Sequence, residues 1–160
     1  MKKIRIGFGM DVHRLEENRV FILGGVLIPH YKGATGHSNA DVLLHAICDA
    51  LLGAANMRDI GFHFPDSSND YAGIDSAILL QNVVVLIKEK GFEIGNIDCT
   101  IALQTPKIAS FIPKMKEKIA AVVQIAEEDI SIKATTTERL GFEGREEGVT
   151  AYCVALIYQN

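Results

Sequence analysis

The sequence predicts an α+β fold, α/β-like in its alternation of elements, with a mixed β-sheet and helices packed on one face. Three observations predict it. Apolar residues alternate with polar or small ones over residues 4–8, the period of a strand. Apolar positions at helical spacing fill residues 39–55, 75–90 and 113–124. The segments run strand, strand, helix, helix, strand, helix, strand, strand, and no repeat, low-complexity tract or linker interrupts them. Residues 1–160 are therefore expected to form one domain.

Each element has a local reason. Ile4, Ile6 and Phe8 mark a half-buried first strand. Residues 20–28 (VFILGGVLI) predict a second strand, with Gly24 and Gly25 at a bulge or a close backbone approach. Residues 29–36 are expected to form a loop. Asn39 is the expected cap of a helix running to about Ala55. Val42, Leu43, Leu44, Ile47, Leu51 and Leu52 surround that helix on most sides, which predicts deep burial. Residues 61–73 form a polar Gly/Pro/Asp/Ser-rich loop, long enough to suggest function. Gly91 ends the amphipathic helix of residues 75–90, and Pro113 opens the next. Residues 94–104, 130–134 and 149–158 supply the remaining strands.

Composition narrows the function. A 160-residue chain with 48% hydrophobic and 22% charged residues can bury a core without disulfides. The net charge of -4 comes with no dense Lys/Arg stripe, so no nucleic-acid partner is expected. No apolar run approaches the length of a membrane span, and the basic start leads into no signal-peptide core. Cys48, Cys99 and Cys153 are odd in number and lie in apolar runs. They read as reduced thiols of a cytoplasmic protein.

Asp11-Val12-His13 places two metal-competent side chains on one face of an extended segment. His45 lies inside the apolar helix. One Asp and two His suit zinc, and three protein ligands leave a fourth position open for a substrate oxygen or for water. Asp41, His45 and Asp49 recur at i, i+4, i+8 as an ionisable stripe on that helix, a costly arrangement unless paired or metal-bound. Asp41 and Asp49 are candidates to hold His45 or to meet substrate, and Cys48 is a weaker candidate for a fourth ligand.

Residues 133–148 (KATTTERLGFEGREEG) combine three threonines, Glu138, glycines, Arg139 and Arg145. Hydroxyls, backbone N–H groups and arginine are phosphate donors, and a Glu can hold magnesium or manganese against a diphosphate. In residues 103–108 (LQTPKI), Pro106 stiffens a turn beside Lys107.

The stretches GFGMDVHRL, LGGVLIP, GHSNADVLLHAICDALLGA, DIGFHFPDS, GNIDCTIALQTPK and IKATTTERLGFEGREEG together resemble the 2-C-methyl-D-erythritol 2,4-cyclodiphosphate synthase family, over nearly all of the chain. That resemblance implies zinc at Asp11, His13 and His45, and a second divalent cation, magnesium or manganese, at Glu138. It implies catalytic roles for His37 and Thr136, with His37 and Ser38 at the methylerythritol and phosphate end of the substrate. Asp59 and Gly61 match ribose contacts, and Phe64 and Asp66 belong to a segment that covers the substrate. Leu103, Lys107, Ala109, Ala134, Thr135 and Thr136 match the cytidine and phosphate pocket. The implied substrate is a cytidyl diphosphate, 4-diphosphocytidyl-2-C-methyl-D-erythritol 2-phosphate. The implied assembly is a homotrimer, its sheets around the three-fold axis and its active sites between subunits. Phe142 and Arg145 match positions at an axial cavity that can hold an isoprenoid diphosphate. The chain departs from the family pattern at Phe8, where His is common, at Asn39-Ala40, where Asp-Gly is common, and at Glu146, where Gly is common.

Overall fold

A computed structural model of the chain describes residues 3–65 and 73–159. In chain order its elements are β1 (Lys3–Glu17), β2 (Ile22–Leu23), β3 (Val26–Leu27), β4 (Lys32–Thr35), α1 (Val42–Ala54), α2 (Ile60–His63), α3 (Ser76–Glu89), β5 (Glu93–Ala102), α4 (Ile112–Val123), β6 (Ile130–Thr135), α5 (Gly141–Gly144) and β7 (Gly148–Gln159). Five strands form a mixed sheet in the order β4-β1-β7-β5-β6, in which only the β5–β6 pair is parallel. Helix α1 lies on β1 and β7, α4 lies near β6, and α3 packs against both helices. Among the described residues no helix is long and apolar enough to cross a membrane.

The alternation along β1 is present, but its buried side is not the apolar one. Ile4, Ile6 and Phe8 point away from the helices and are 62%, 69% and 62% exposed. The side facing α1 carries Gly7 and Gly9 instead. A Cβ at Gly9 would come within 2.0 Å of the Ala46 carbonyl oxygen, and one at Gly7 within 1.9 Å of that of Ala50. Only a residue without a side chain lets the helix approach this closely. Above them Val42, Leu43, Ile47, Leu51 and Leu52 of α1 are fully buried among residues of the sheet and of α3 and α4.

Four local expectations change. Residues 20–28 are not one strand: β2 and β3 form a hairpin outside the main sheet. Its two turn residues, Gly24 and Gly25, have φ of +58° and +72°, as a two-residue turn with both positions left-handed requires. Residues 29–36 are not all loop, because β4 extends the sheet beside β1. The helix cap is Asp41 rather than Asn39, and its carboxylate accepts from Leu44 N. Residues 61–63 continue the short helix α2, capped by Asp59, so the polar loop begins later than composition suggests.

Candidate metal centre and phosphate pockets

Strand β1 delivers Asp11 and His13 to one face, two residues apart, and α1 delivers His45 opposite them. Asp11 Oδ2 lies 3.1 Å from His13 Nε2 and 3.0 Å from His45 Nδ1, and the two ring nitrogens are 3.2 Å apart. Among the described residues this is the one group of three or more Asp, Glu, His or Cys side chains spaced to share a metal ion. Donors at about 2.0 Å from a tetrahedral zinc are about 3.3 Å from one another, so the triangle fits such an ion in size as well as in ligand type. Burial alone would raise the Asp11 pKa. Hydrogen bonds and charge from His13 and His45 outweigh it and hold the carboxyl down to about 2.

The ionisable stripe on α1 resolves into three different jobs. Asp41 is fully buried, and its carboxylate does not reach the His45 ring. It caps α1 and also accepts from Gly24 N at 2.9 Å and Gly25 N at 2.6 Å, tying the β2–β3 turn to the helix. Burial pushes its pKa up against those three N–H donors. Asp49 accepts from Ile60 N at 2.7 Å and so anchors α2. Cys48 is fully buried, burial drives its thiol pKa well up, and it stands outside the metal-ligand group.

On its other side, His45 Nε2 meets Ser38 and Ser76, whose Oγ atoms lie 3.0 Å and 2.9 Å away. Ser76 was not legible as a site residue. It falls at the start of the amphipathic helix expected over residues 75–90, where nothing in the local pattern shows that it turns toward α1; in the structure it is the first residue of α3, after the cap Asp75.

A cavity of about 360 Å³ opens over the three ligands and is lined also by His37, Ser38, Gly61 and Phe64. Asp59 stands beside it, accepting from Phe62 N at 3.1 Å. Asp66 lies outside the described residues. The expected cytidine-pocket residues gather elsewhere. Leu103, Lys107, Ala109, Ala134, Thr135 and Thr136 line a separate cavity of about 180 Å³ at the β5–β6 edge. Asp11 pairs with Ala151, Ala151 with Ile101, and Ile101 with Ala134. Asp11 of the first cavity and Ala134 of the second thus sit three strand spacings apart, roughly 14 Å.

Glu138 is exposed and accepts from Thr136 Oγ1 at 3.3 Å. It and Arg139 have φ of +54° and +63°, a costly pair of left-handed residues held in part by Arg139 N donating to Gln104 Oε1 at 3.1 Å. Phe142 lines a third cavity of about 210 Å³ with Val12, His13, Arg14, Glu147 and Gly148. Arg145 is exposed and donates through Nε and Nη2 to the Glu147 carboxylate at 3.1 and 3.2 Å. Glu146, with φ of +59°, accepts from Tyr31 Oη and, through its carbonyl, from Lys32 Nζ.

Comparison with known proteins gives consistent results. The model of the YgbB family matches residues 4–158. The 2-C-methyl-D-erythritol 2,4-cyclodiphosphate synthase of Bacteroides thetaiotaomicron is 62% identical over 158 residues, 99% of each chain. The bifunctional IspDF of Campylobacter jejuni superposes with a TM-score of 0.96 at 39% identity, over all of this chain and 43% of that longer one. The IspF–CDP complex of Plasmodium falciparum gives a TM-score of 0.85 at 35% identity, over 98% of this chain and 97% of that one.

Proposed function

The chain belongs to the YgbB family, and from that premise we propose that it converts 4-diphosphocytidyl-2-C-methyl-D-erythritol 2-phosphate to 2-C-methyl-D-erythritol 2,4-cyclodiphosphate and CMP, a phosphorus–oxygen lyase step in making isoprenoid precursors. The observation that carries this reading onto the structure is the Asp11–His13–His45 triangle at the floor of a cavity also lined by His37 and Ser38.

The reaction needs no protein nucleophile. An oxygen of the substrate's own 2-phosphate forms a bond to the β-phosphorus, and the bond from that phosphorus to the CMP oxygen breaks, its electron pair leaving with CMP. Catalysis then reduces to folding a flexible chain into a ring and neutralising charge. Zinc held by Asp11, His13 and His45 would supply that neutralisation at the attacked phosphate, and magnesium or manganese held by Glu138 would supply it along the diphosphate. A single exposed carboxylate suits the second role, since magnesium usually binds through one or two carboxylates plus substrate phosphates. His37 and Ser38 orient the methylerythritol end. Thr135 and Thr136 donate hydroxyls to phosphate oxygens, and His37 and Thr136 stabilise charge as the ring closes. Asp59 and Gly61 contact the ribose. Leu103, Lys107, Ala109 and Ala134 hold the cytidine and its phosphates.

One chain separates the metal triangle from the nucleotide pocket, so we place each active site between two subunits of a homotrimer. The outward face of β1 supports this: Ile4, Ile6, Phe8, Met10 and Val12 are exposed by 39–69%, an apolar stripe that a lone chain would leave in water. Phe142 and Arg145 stand near the axis in this arrangement, where an isoprenoid diphosphate would meet both. Incubation with the cytidyl substrate, zinc and magnesium should release CMP and the cyclic diphosphate in equal amounts. Hydrolysis to a linear phosphate, or no CMP, would overturn the proposal.

A further inference from the structure

We propose that Ser76 and Asn39 are positioning residues for the metal centre, holding the His45 imidazole with its Nε2 proton turned away from Asp11 and His13 and its Nδ1 lone pair turned toward them. The inference rests on the metal reading above and adds what sets the ligand's orientation.

Its direction follows from one acceptor-only group. The Asp75 carboxylate, at the N-terminus of α3, can only accept when ionised. Its Oδ1 takes hydrogen bonds from Ala77 N at 2.9 Å and from Asn39 Nδ2 at 3.1 Å. That contact turns the amide nitrogen of Asn39 toward Asp75 and its oxygen toward Ser76. Asn39 Oδ1 accepts from Ser76 N at 3.2 Å and from Ser76 Oγ at 2.5 Å. With its one proton committed to Asn39, Ser76 Oγ offers only lone pairs to His45 Nε2, 2.9 Å away. Nε2 must therefore be the donor. Nδ1 is left to face Asp11 Oδ2 and His13 Nε2 at 3.0 and 3.2 Å, as a metal ligand needs.

Ser38 is a rival partner for Nε2, at 3.0 Å, and also lies 3.2 Å from Ser76 Oγ. Two features separate the serines. Ser76 is fully buried and does not line the cavity, whereas Ser38 is half-buried and does. A fixed acceptor at Ser76 leaves the Ser38 hydroxyl proton free to turn to a substrate phosphate without loosening His45.

The test measures zinc affinity by chelator competition and records the imidazole Nε2–H resonance of His45 by NMR in the zinc-loaded protein. Ser76→Ala should weaken zinc about 10–100-fold, the range for lost outer partners of metal ligands, and should abolish slow exchange of that proton. Asn39→Ala should act in the same direction. Ser38→Ala should leave zinc affinity within about twofold. Wild-type affinity and a protected Nε2 proton in folded Ser76→Ala and Asn39→Ala would overturn the relay alone. Wild-type protein that takes up no zinc would overturn the metal reading and the relay together.

Discussion

Asp11 Oδ2 sits 3.0 Å from His45 Nδ1, joining a strand residue to a helix residue 34 positions later in the chain. Neither side chain can be replaced without removing one corner of the donor triangle. His45→Ala and Asp11→Asn should each lose zinc binding and cyclase activity together, as read by metal analysis and CMP release. Full turnover in a zinc-free variant would remove the metal from the mechanism.

The same contact predicts an acid-stability signature. Folded Asp11 titrates at about 2 against an ordinary 3.8, so ionised Asp11 stabilises the metal-free protein above about pH 4. That contribution, about 2 kcal/mol, should fade as pH falls through 2. Urea unfolding of the metal-free protein between pH 2 and 5, at fixed protein concentration, should show wild type losing about that much relative to Asp11→Asn. Parallel pH profiles for the two proteins would contradict the pairing.

Glu138 stands apart from the triangle, on a left-handed turn beside Thr136. Glu138→Gln should retain one zinc per chain and lose the dependence of turnover on magnesium or manganese. An unchanged divalent-cation requirement in the titrated variant would remove Glu138 from that role.

Kinetics and melting can separate the capping contact of Asp59 from its proposed contact with the ribose. Its carboxylate caps α2 through Phe62 N, a contact worth about 1 kcal/mol, on an exposed four-residue helix. If it also contacts the ribose, Asp59→Ala should raise KM for the cytidyl substrate about tenfold or more with little change in kcat and only a small fall in Tm. A change confined to kcat would speak against the ribose contact.

Gly9 faces the backbone of α1. Gly9→Ala would drive a methyl group to within 2.0 Å of the Ala46 carbonyl oxygen, a collision with backbone that no rotamer relieves. We expect a loss of about 3 kcal/mol or more of stability in thermal or urea unfolding. A variant as stable as wild type would show that α1 can withdraw from the sheet at little cost.

Much of this was legible in the sequence, and the misses share a cause. The helix bounds near Ala55, Lys90 and Gln124 followed from apolar spacing and from stop residues, which are local signals. The cap of α1 went to Asp41 rather than Asn39 because Asn39 is drawn to Ser76 and Asp75, 37 and 36 residues away. The β2–β3 hairpin was hidden because its strands are only two residues each, too short for periodicity to register. The alternation of β1 showed a half-buried strand but not which face meets the helices, because residue size, not hydrophobicity, decides which side meets a closely docked helix. Asp11, His13 and His45 are metal-competent by residue type alone. That they converge is a tertiary fact, as is the separation of the triangle from the threonine pocket within one chain.

The two glycines of β1 also set the scale of the chemistry. Two corners of the donor triangle ride on the strand and the third on the helix, so the clearance between strand and helix is the span across which an ion would be gripped. Larger residues at positions 7 and 9 would act as a shim, lifting His45 from its partners while leaving every ligand intact. Metal affinity would then depend on residues that carry no side chain and take no part in coordination, and a search for variants with altered affinity has reason to begin there.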